Sequence, residues 1–408
     1  MKKVILPLVA LMLSMVACQK ENEGILTLEV EEYNTDAKLH LDDANYAVWD
    51  NDDAIWINGA FKHVSISEEN GTATISGVSS SETGYKAFYP SSLERAYYHD
   101  DGTLLIEILS TQTYRTNDTG KQVIDAPMAA YSTGGSLQFK NLGSILAVNV
   151  SGVERVRSIK VIATDDDNRD VSIAGETSID FSGDRPTLET TNGNSNCITL
   201  YCGGVEIPVG GSKTFYIAIP SVEAKLTIIV DDGACRYTKS QNDAMTFVSS
   251  HGYNVPFDAS EVTDPEQYAP KSTEIWYTSS NDRRIDITGM NSLGIFSNVY
   301  NDGKGVITFN SAVSTFPDNL FANAGRANLQ SLSLPYSLTT FANNTFRYYT
   351  NLTTINYYYY NNPESINSPR SWGLRLSVFD KLHLLQDLPG DYATIWRNSF
   401  PYVEFDLE

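Results

Sequence analysis

Hydrophobic and polar residues alternate with a period of two from Gly24 to about residue 257. In ILTLEVEEY at residues 25–33, Leu26, Leu28 and Val30 share one side of an extended chain. The pattern returns in LLIEIL (104–109), ILAVNV (145–150), SIKVIAT (158–164), TFYIAIP (214–220) and KLTIIVDDG (225–233). Alternation broken by Gly, Asn and Asp clusters predicts antiparallel sheets of the β-sandwich type, with no long amphipathic helix.

The pattern changes beyond DASEVTDPEQYAPKS, whose polarity, two prolines and lack of periodicity predict a linker over residues 258–272. Val313, Phe316 and Phe321 recur 25 residues later as Leu338, Phe341 and Phe346, and Leu329 and Leu332 recur 23 residues later as Leu352 and Ile355. Fixed Leu and Phe positions at this period predict a short leucine-rich-type solenoid over residues 273–408. Two repeats need caps, for which we expect GVITF (305–309) and a C-terminal helix containing Tyr392, Ile395 and Trp396.

The N-terminus has the three-part layout of a secretory signal. Two lysines precede VILPLVALML (4–13), a run shorter than the roughly 20 residues of a permanent membrane span. The following MVAC resembles a bacterial lipobox, although Met15 stands where Leu is usual. We expect a signal peptide over residues 1–17, lipidation at Cys18 and a tether through residues 18–24; the alternative is an ordinary signal peptide that contains a cysteine.

The expected location is the outer face of an outer membrane. QKENE (19–23) resembles the acidic, lysine-containing signals that send some lipoproteins there. The chain has 408 residues and a net charge of −21, and a surface so acidic repels phosphate backbones. Nucleic acid is therefore not expected as a partner, and the attachment to the membrane is expected through the N-terminal lipid.

Three cysteines follow Cys18, and their spacing matches no zinc signature. Two interpretations remain open for Cys197, Cys202 and Cys235. In the first, all three cysteines are buried free thiols. In the second, Cys202 and Cys235 form a disulfide between two strands and Cys197 stays free.

The sequence contains no arrangement typical of an enzyme, so neither catalysis nor a cofactor or metal is expected. The five histidines lack metal-ligand spacing, and no nucleophile-elbow or Walker-type motif occurs. In DDDNRDVSIAGE, Asp165, Asp167 and Glu176 take calcium-loop positions, but Arg169 and Asp170 break the motif, which favours a hairpin turn.

A second acidic group raises the possibility of glycosidase carboxylates. In WDNDDAIW (49–56), Asp50, Asp52 and Asp53 are close together along the chain, although a charged turn between two buried tryptophans is favoured.

One aromatic run is a candidate binding surface. In INYYYYNN (355–362), a strand would point Tyr357 and Tyr359 one way and Tyr358 and Tyr360 the other. One exposed pair would stack on a sugar or anchor a protein partner. The alternative is that one pair fills the core and a cap covers the other.

Five segments resemble, in order, the fimbrillin-like surface lipoproteins of Gram-negative anaerobes: VWDNDDAIWING (48–59), GYKAFYP (84–90), APMAAYS (126–132), LQFKNLGSILAVNVSG (137–152) and FYIAIPS (215–221). The resemblance implies two tandem antiparallel β-sandwiches, placed here at residues 25–133 and 134–257. Some members polymerise into adhesive pili after a cut at an early arginine opens a groove for a donated strand. This chain has no arginine before Arg95, which disfavours a stalk subunit.

Residues 273–408 are similar to BspA-type leucine-rich-repeat proteins, through STEIWYTSS (272–280), NDGKGVITF (301–309), the repeats and the tail. That resemblance implies a cell-surface adhesin or matrix binder. The expected function is thus a lipid-anchored surface adhesin whose repeat module binds a host or bacterial surface protein or a glycan. Two alternatives stay open: an anchor or tip subunit that contacts other fimbrial subunits, and a glycan-capture lipoprotein.

Overall fold

The structure is a computed structural model, which describes residues 24–31, 49, 53–67, 73–78, 84–89, 97–98, 104–117, 120–124, 126–183, 185–190, 195–287, 289–317, 319–341, 345–346, 348–357 and 381–384. Nearly all regular structure is β, because the period-two alternation runs through most of these segments. The described helices are a 3-10 turn at Ala259–Glu261 and one α-helical turn, α1, at Asn323–Arg326. No described helix has the length and apolar composition to cross a membrane.

The strands fall in chain order into three groups. The first is β1 (Gly24–Val30), β2 (Ala54–Ile57), β3 (Ala60–His63), β4 (Ser65–Ile66), β5 (Ala73–Val78), β6 (Tyr85–Tyr89), β7 (Tyr97–Tyr98), β8 (Leu104–Ile108), β9 (Thr111–Thr113), β10 (Arg115–Thr116), β11 (Gln122–Val123), β12 (Met128–Ser132) and β13 (Ser136–Asn141). The second is β14 (Gly143–Ser151), β15 (Arg155–Thr164), β16 (Gly175–Asp180), β17 (Thr187–Thr190), β18 (Cys197–Glu206), β19 (Ser212–Pro220), β20 (Val222–Asp231), β21 (Cys235–Ser240), β22 (Met245–Phe247), β23 (Gly252–Asp258) and β24 (Glu266–Gln267). The third is β25 (Glu274–Ser279), β26 (Ile295–Asn301), β27 (Lys304–Phe309), β28 (Leu329–Leu334), β29 (Thr354–Tyr357) and β30 (Lys381–Leu384).

The N-terminal half is built on an eight-stranded sheet with the order β3-β2-β6-β12-β13-β1-β5-β4. Trp56, Phe88 and Ala129 on one of its faces pack against Leu104 and Ile179 of a four-stranded sheet, β17-β16-β8-β7. Its other face has a separate core that includes leucines of β1 and Phe139 of β13. Strands on both sides of the predicted boundary at residues 133 and 134 share this sheet, since β12 pairs with β13.

The next unit is two sheets packed face to face. A three-stranded sheet, β19-β14-β23, lies against a seven-stranded sheet, β24-β21-β20-β15-β18-β9 with β22 added to β20. Side chains of both sheets meet in one core, for example Val148 and Phe215 with Ile159 and Ile228. This two-layer arrangement is that of a β-sandwich, as the alternation predicts.

The prediction of purely antiparallel sandwiches is wrong at three pairs. The pairs β1–β13, β14–β23 and β18–β9 are parallel, so the sheets are mixed. In each pair the two strands are far apart in the sequence, and long connections permit parallel pairing. Alternation reports which side chains a strand buries and carries no information about the direction of its neighbour.

Four residues that we name the Glu31 clasp join the end of β1 to other sheets: Glu31, Asn141, Arg185 and Ser250. Arg185 Nη1 donates to Glu31 Oε1 at 2.6 Å, and Ser250 Oγ donates to Glu31 Oε2 at 2.6 Å. Arg185 Nη2 also donates to the Asn141 carbonyl at 2.6 Å. Burial works to raise the pKa of Glu31, but these hydrogen bonds and the charges of Arg185 and Lys140 outweigh it and hold the pKa below its usual value.

The segment predicted as a linker is held against the seven-stranded sheet. Its strand β24 pairs with β21, and Tyr268 Oη donates to Asp231 Oδ1 at 2.6 Å. Arg157 Nη1 lies 3.4 Å from Asp231 Oδ2, and the Arg236 guanidinium lies 4.6 Å from the centre of the Tyr268 ring. Beyond this segment, the Arg155 guanidinium lies 4.1 Å from the centre of the Tyr336 ring. These contacts fix the following unit against the second one.

The remaining described residues, 274–357 and 381–384, form what we call the C-terminal module. Its six-stranded sheet has the order β26-β27-β25-β28-β29-β30, and β28, β29 and β30 pair in parallel. Hydrogen bonds join positions one sequence repeat apart: Ser337 Oγ donates to the Val313 carbonyl at 2.9 Å, and Thr353 N to the Gln330 carbonyl at 2.9 Å. The residues of the sequence repeat are buried, and the rings of Phe316, Phe341 and Phe346 lie 5.1–6.1 Å from one another.

We predict that Glu31→Gln destabilises the chain by about 1–3 kcal/mol at pH 7, because the clasp loses its charge-assisted hydrogen bonds. Since the folded-state pKa of Glu31 lies below the unfolded value, its stabilisation is complete above about pH 4.3 and disappears as the pH falls through the lower, folded-state pKa. Urea unfolding at pH 7 and near pH 3 should therefore show a deficit that shrinks in acid.

The matched control is Glu29→Gln, because Glu29 is exposed on β1, two residues before Glu31. It should leave the free energy of unfolding unchanged at both pH values. An equal deficit for Glu31→Gln at the two pH values would contradict the role of the carboxylate charge.

Candidate functional site

The solvent-facing side of the six-stranded sheet is the candidate site, and we call it the outer face. Along β25, Ile275, Tyr277 and Ser279 are buried, while Glu274, Trp276 and Thr278 are partly exposed. β27, β28 and β29 alternate in the same way. One face of the sheet therefore covers the core of the C-terminal module, and the other presents side chains to the surroundings.

Strand register places the outer-face side chains in rows across the sheet. Trp276 lies opposite Val306 on one side and Ser333 on the other, and Ser333 lies opposite Asn356. Opposite residues of neighbouring strands point to the same face, with Cβ atoms about 5 Å apart. A row of one aromatic, one aliphatic and two polar side chains results. The neighbouring row is Thr278, Ser331 and Thr354.

Hydrogen bonds within the rows hold the polar side chains in place. The Thr278 and Ser331 hydroxyl oxygens are 2.6 Å apart. Asn356 Nδ2 donates to Ser333 Oγ at 2.9 Å. Each group keeps further hydrogen-bonding capacity, since a hydroxyl oxygen has two lone pairs and an amide has four sites. The rows thus present fixed donors and acceptors.

Trp276 is the aromatic centre of the outer face. Its Nε1 donates to Glu274 Oε2 at 2.8 Å, and Lys304 Nζ lies 3.0 Å from the centre of its ring. Burial lowers the pKa of Lys304, and the Glu274 carboxylate counteracts this effect. Such a ring with a cation, a carboxylate and neighbouring hydroxyls can contact a sugar or a protein side chain through both apolar and polar groups.

The strand that carries Trp276 is fixed from below by Tyr277. Tyr277 Oη donates to Asn298 Oδ1 at 2.9 Å and accepts from Ile285 N at 3.1 Å, and Asn298 Nδ2 donates to the Ile285 carbonyl at 2.8 Å. Gly305 lies opposite Tyr277 in the sheet, and a Cβ there would collide with the Tyr277 ring. The close approach of β27 to β25 therefore requires glycine at this position.

The structure contradicts one of the predicted binding tyrosines. Tyr357 is fully buried, donates a hydrogen bond from Oη to the Leu338 carbonyl at 2.5 Å, and packs edge-on against Phe341. It fills the core, so the prediction that it contacts a ligand is wrong. Tyr358, Tyr359 and Tyr360 lie outside the described residues.

Of the two interpretations of the cysteines, the disulfide between Cys202 and Cys235 is wrong, because Cys197, Cys202 and Cys235 all carry free thiols, of which Cys202 and Cys235 are buried. Cys202 is on β18 and Cys235 on β21, with β15 and β20 between them. Three strand spacings are about 14 Å, whereas a disulfide needs Cα atoms within about 7 Å. Burial raises the pKa of both Cys202 and Cys235, which keeps these thiols protonated.

Neither acidic group from the sequence forms a site within the described part of the chain. Arg169 pairs with Asp165 at 2.7 Å and Asp167 at 2.8 Å in a hairpin turn. Asp53, which lies between the buried Trp49 and Trp56 in the sequence, accepts a hydrogen bond from Tyr89 Oη at 3.3 Å. Asp50 and Asp52 lie outside the described residues, and so does Cys18. No three His, Cys, Asp or Glu side chains converge there in a metal-binding arrangement.

Sequence reasoning missed Trp276 as a candidate. The segment EIWYTS alternates strictly, so a buried Ile275 and Tyr277 would have placed Trp276 on the opposite, outer face. Its row partners Ser333 and Asn356 belong to the two repeats, 23 residues apart. Equivalent positions of successive repeats lie side by side, which is the signal that pairs them.

No protein-family model matches the chain, and no curated protein matches it. Among solved structures, the chain is similar to a candidate cell adhesion protein from Bacteroides ovatus, with 16% identity and a TM-score of 0.33, over 62% of this chain and 99% of that one. A candidate cell adhesion protein from Bacteroides uniformis has 13% identity and a TM-score of 0.33, and the match covers 61% of this chain and 99% of that one. A leucine-rich repeat protein from Bacteroides thetaiotaomicron has 10% identity and a TM-score of 0.15, and the match covers 85% of this chain and 38% of that one. Because these TM-scores are low, the function proposed below rests on the chain's own residues.

Proposed function

We propose that the chain is a non-enzymatic adhesin on the cell surface, anchored in the outer membrane by a lipid on Cys18. In this proposal the C-terminal module is a short leucine-rich-repeat solenoid, and its outer face binds a surface protein or a glycan. The observation that carries the proposal is the row formed by Val306, Trp276, Ser333 and Asn356.

The parallel strands and the spacing of their contacts support the solenoid. β28, β29 and β30 pair in parallel, and the side chains of Ser337, Asn351 and Thr353 each bond to a carbonyl 23–24 residues earlier. A repeat architecture requires such contacts between neighbouring units of equal length.

The composition of the outer face supports recognition rather than simple solvation. Glu274 and Lys304 contact Trp276, and from β25 to β29 the two rows contain hydroxyls, an amide and the tryptophan. Tryptophan is among the side chains whose removal weakens binding most. Fixed hydroxyls and an amide beside it provide hydrogen bonds with defined direction.

A second candidate function is an anchor or tip subunit of a pilus. The observation that favours it is the position of β1, which follows the predicted tether and lies between β13 and β5 in the eight-stranded sheet. A strand that follows a tether can be exchanged between subunits, since strand addition uses backbone hydrogen bonds. Co-purification with pilus polymers would distinguish this role from stand-alone adhesion. A glycan-capture lipoprotein would instead bind soluble glycans through Trp276.

We predict that Trp276→Ala lowers binding at least about tenfold, equivalent to about 1.4 kcal/mol, because the ring is the largest apolar group of the outer face. The measurement uses cells that display the full chain and a panel of immobilised host matrix glycoproteins and glycans. The control is Phe61→Ala, which removes an aromatic ring that is 56% exposed on β3. Binding that survives Trp276→Ala at the wild-type level would refute the assignment of the outer face.

The anchor is tested independently. Cys18→Ala removes the sulfur that would carry the lipid, so we expect the chain to leave the membrane fraction and appear in the soluble fraction. Fractionation followed by immunoblotting measures the distribution. Retention of Cys18→Ala in the membrane fraction would show that another feature holds the chain there.

A further inference from the structure

β26 is the first strand at one edge of the six-stranded sheet. It pairs with β27 on one side, and no strand among the described residues pairs with its other side. In an antiparallel pair, alternate residues direct their backbone N–H and C=O groups away from the partner strand. The outward groups of β26 therefore offer a template for one more strand.

Another long edge strand of the molecule, β19, has its backbone groups satisfied by side chains at two residues. On β19, Gln112 Nε2 donates to the Ala218 carbonyl at 2.7 Å, and Ala218 N donates to Gln112 Oε1 at 3.1 Å. In the same way, Gln122 Nε2 donates to the Tyr216 carbonyl at 2.7 Å, and Tyr216 N donates to Gln122 Oε1 at 2.9 Å. Two side-chain amides thus take the place of a neighbouring strand and block addition to this edge.

The other edge of that three-stranded sheet, β23, contains Pro256, which has no N–H to donate. Edge strand β3 carries Lys62, and β30 carries Lys381. Prolines and charges of this kind discourage strand addition. β26 lacks both devices, because its seven residues are IFSNVYN.

β26 also exposes apolar side chains. Phe296 is 74% exposed and Val299 is 50% exposed. Val299 lies opposite Val306, so it belongs to the outer-face row that contains Trp276. An exposed, uncharged and partly apolar edge is the kind of surface that proteins otherwise cover.

We propose that β26 pairs antiparallel with β26 of a second copy of this chain, which joins the two sheets into one. The charge distribution favours this edge for contact between copies. The chain has a net charge of −21, so two copies repel each other, and like charges directly opposite each other destabilise a strand pair. Because β26 has no charged residue, two copies can pair there without local repulsion across the strand pair. A two-fold axis brings the same apolar residues together from both copies and closes the assembly at a dimer.

The dimer would also affect ligand binding by the outer face. This effect rests on the proposed function, whereas the dimer itself does not. The two β25 strands would be five strand spacings apart, which is about 24 Å. Both Trp276 side chains would then lie on one continuous surface, and a repetitive ligand could contact both. Two linked sites increase the apparent affinity without any new contact.

The test is sedimentation velocity of the full chain in detergent, at chain concentrations between about 1 and about 100 µM. This range covers the dissociation constants expected of an interface this small. We expect a concentration-dependent dimer. Val299→Lys places a charge at the edge and should raise the dimer dissociation constant at least about tenfold. The matched control is Val209→Lys, because Val209 is 100% exposed in the turn between β18 and β19. It should leave the dimer intact.

Circular dichroism of each variant establishes that it is folded before the comparison. A wild-type chain that stays monomeric throughout the range overturns the proposal. So does a dimer that persists in Val299→Lys, or one that Val209→Lys weakens equally. Ligand binding by the Trp276 row is measured separately on cells, so failure of the dimer and failure of the proposed function are distinguishable.

Discussion

The backbone ladder between strands one repeat apart is the constraint on which the C-terminal module depends. Parallel pairing sets Ser333 of β28 opposite Asn356 of β29, and antiparallel pairing sets Trp276 of β25 opposite Ser333. Side chains alternate between faces, so a slip of one residue would exchange the outer face with the core. The ring cluster around Phe341 holds the register, because each aromatic side chain occupies one position in the core.

The repeat was readable from the sequence because its core positions are large and evenly spaced. Phe316 and Phe341 hold the same position in successive repeats, and both are buried. The same repeat also indicates that Tyr357 is buried. Ile355 is a core position of the repeat, and a residue two places later on a strand shares its face. The tyrosine run obscured this, since alternation alone leaves open which pair of tyrosines faces inward.

Contacts between distant segments could not be predicted from the sequence. Glu31 and Ser250 are 219 residues apart, and Gln112 bonds to a strand 106 residues later. Nothing in a local pattern identifies such partners, because strand order is decided by how whole sheets pack. The parallel pairs and the separation of Cys202 from Cys235 have the same origin. Period-two alternation therefore predicted the strands and their buried faces, whereas the partners of each strand required the structure.

Hydrogen–deuterium exchange of the full chain tests the ladder most directly. We predict slow exchange for backbone amides of residues 329–334 and 354–357, comparable to the central strand β14, because all three segments pair on both sides. Fast exchange of residues 354–357 while β14 stays protected would contradict the ladder. It would also remove the register that brings Trp276, Ser333 and Asn356 into one row.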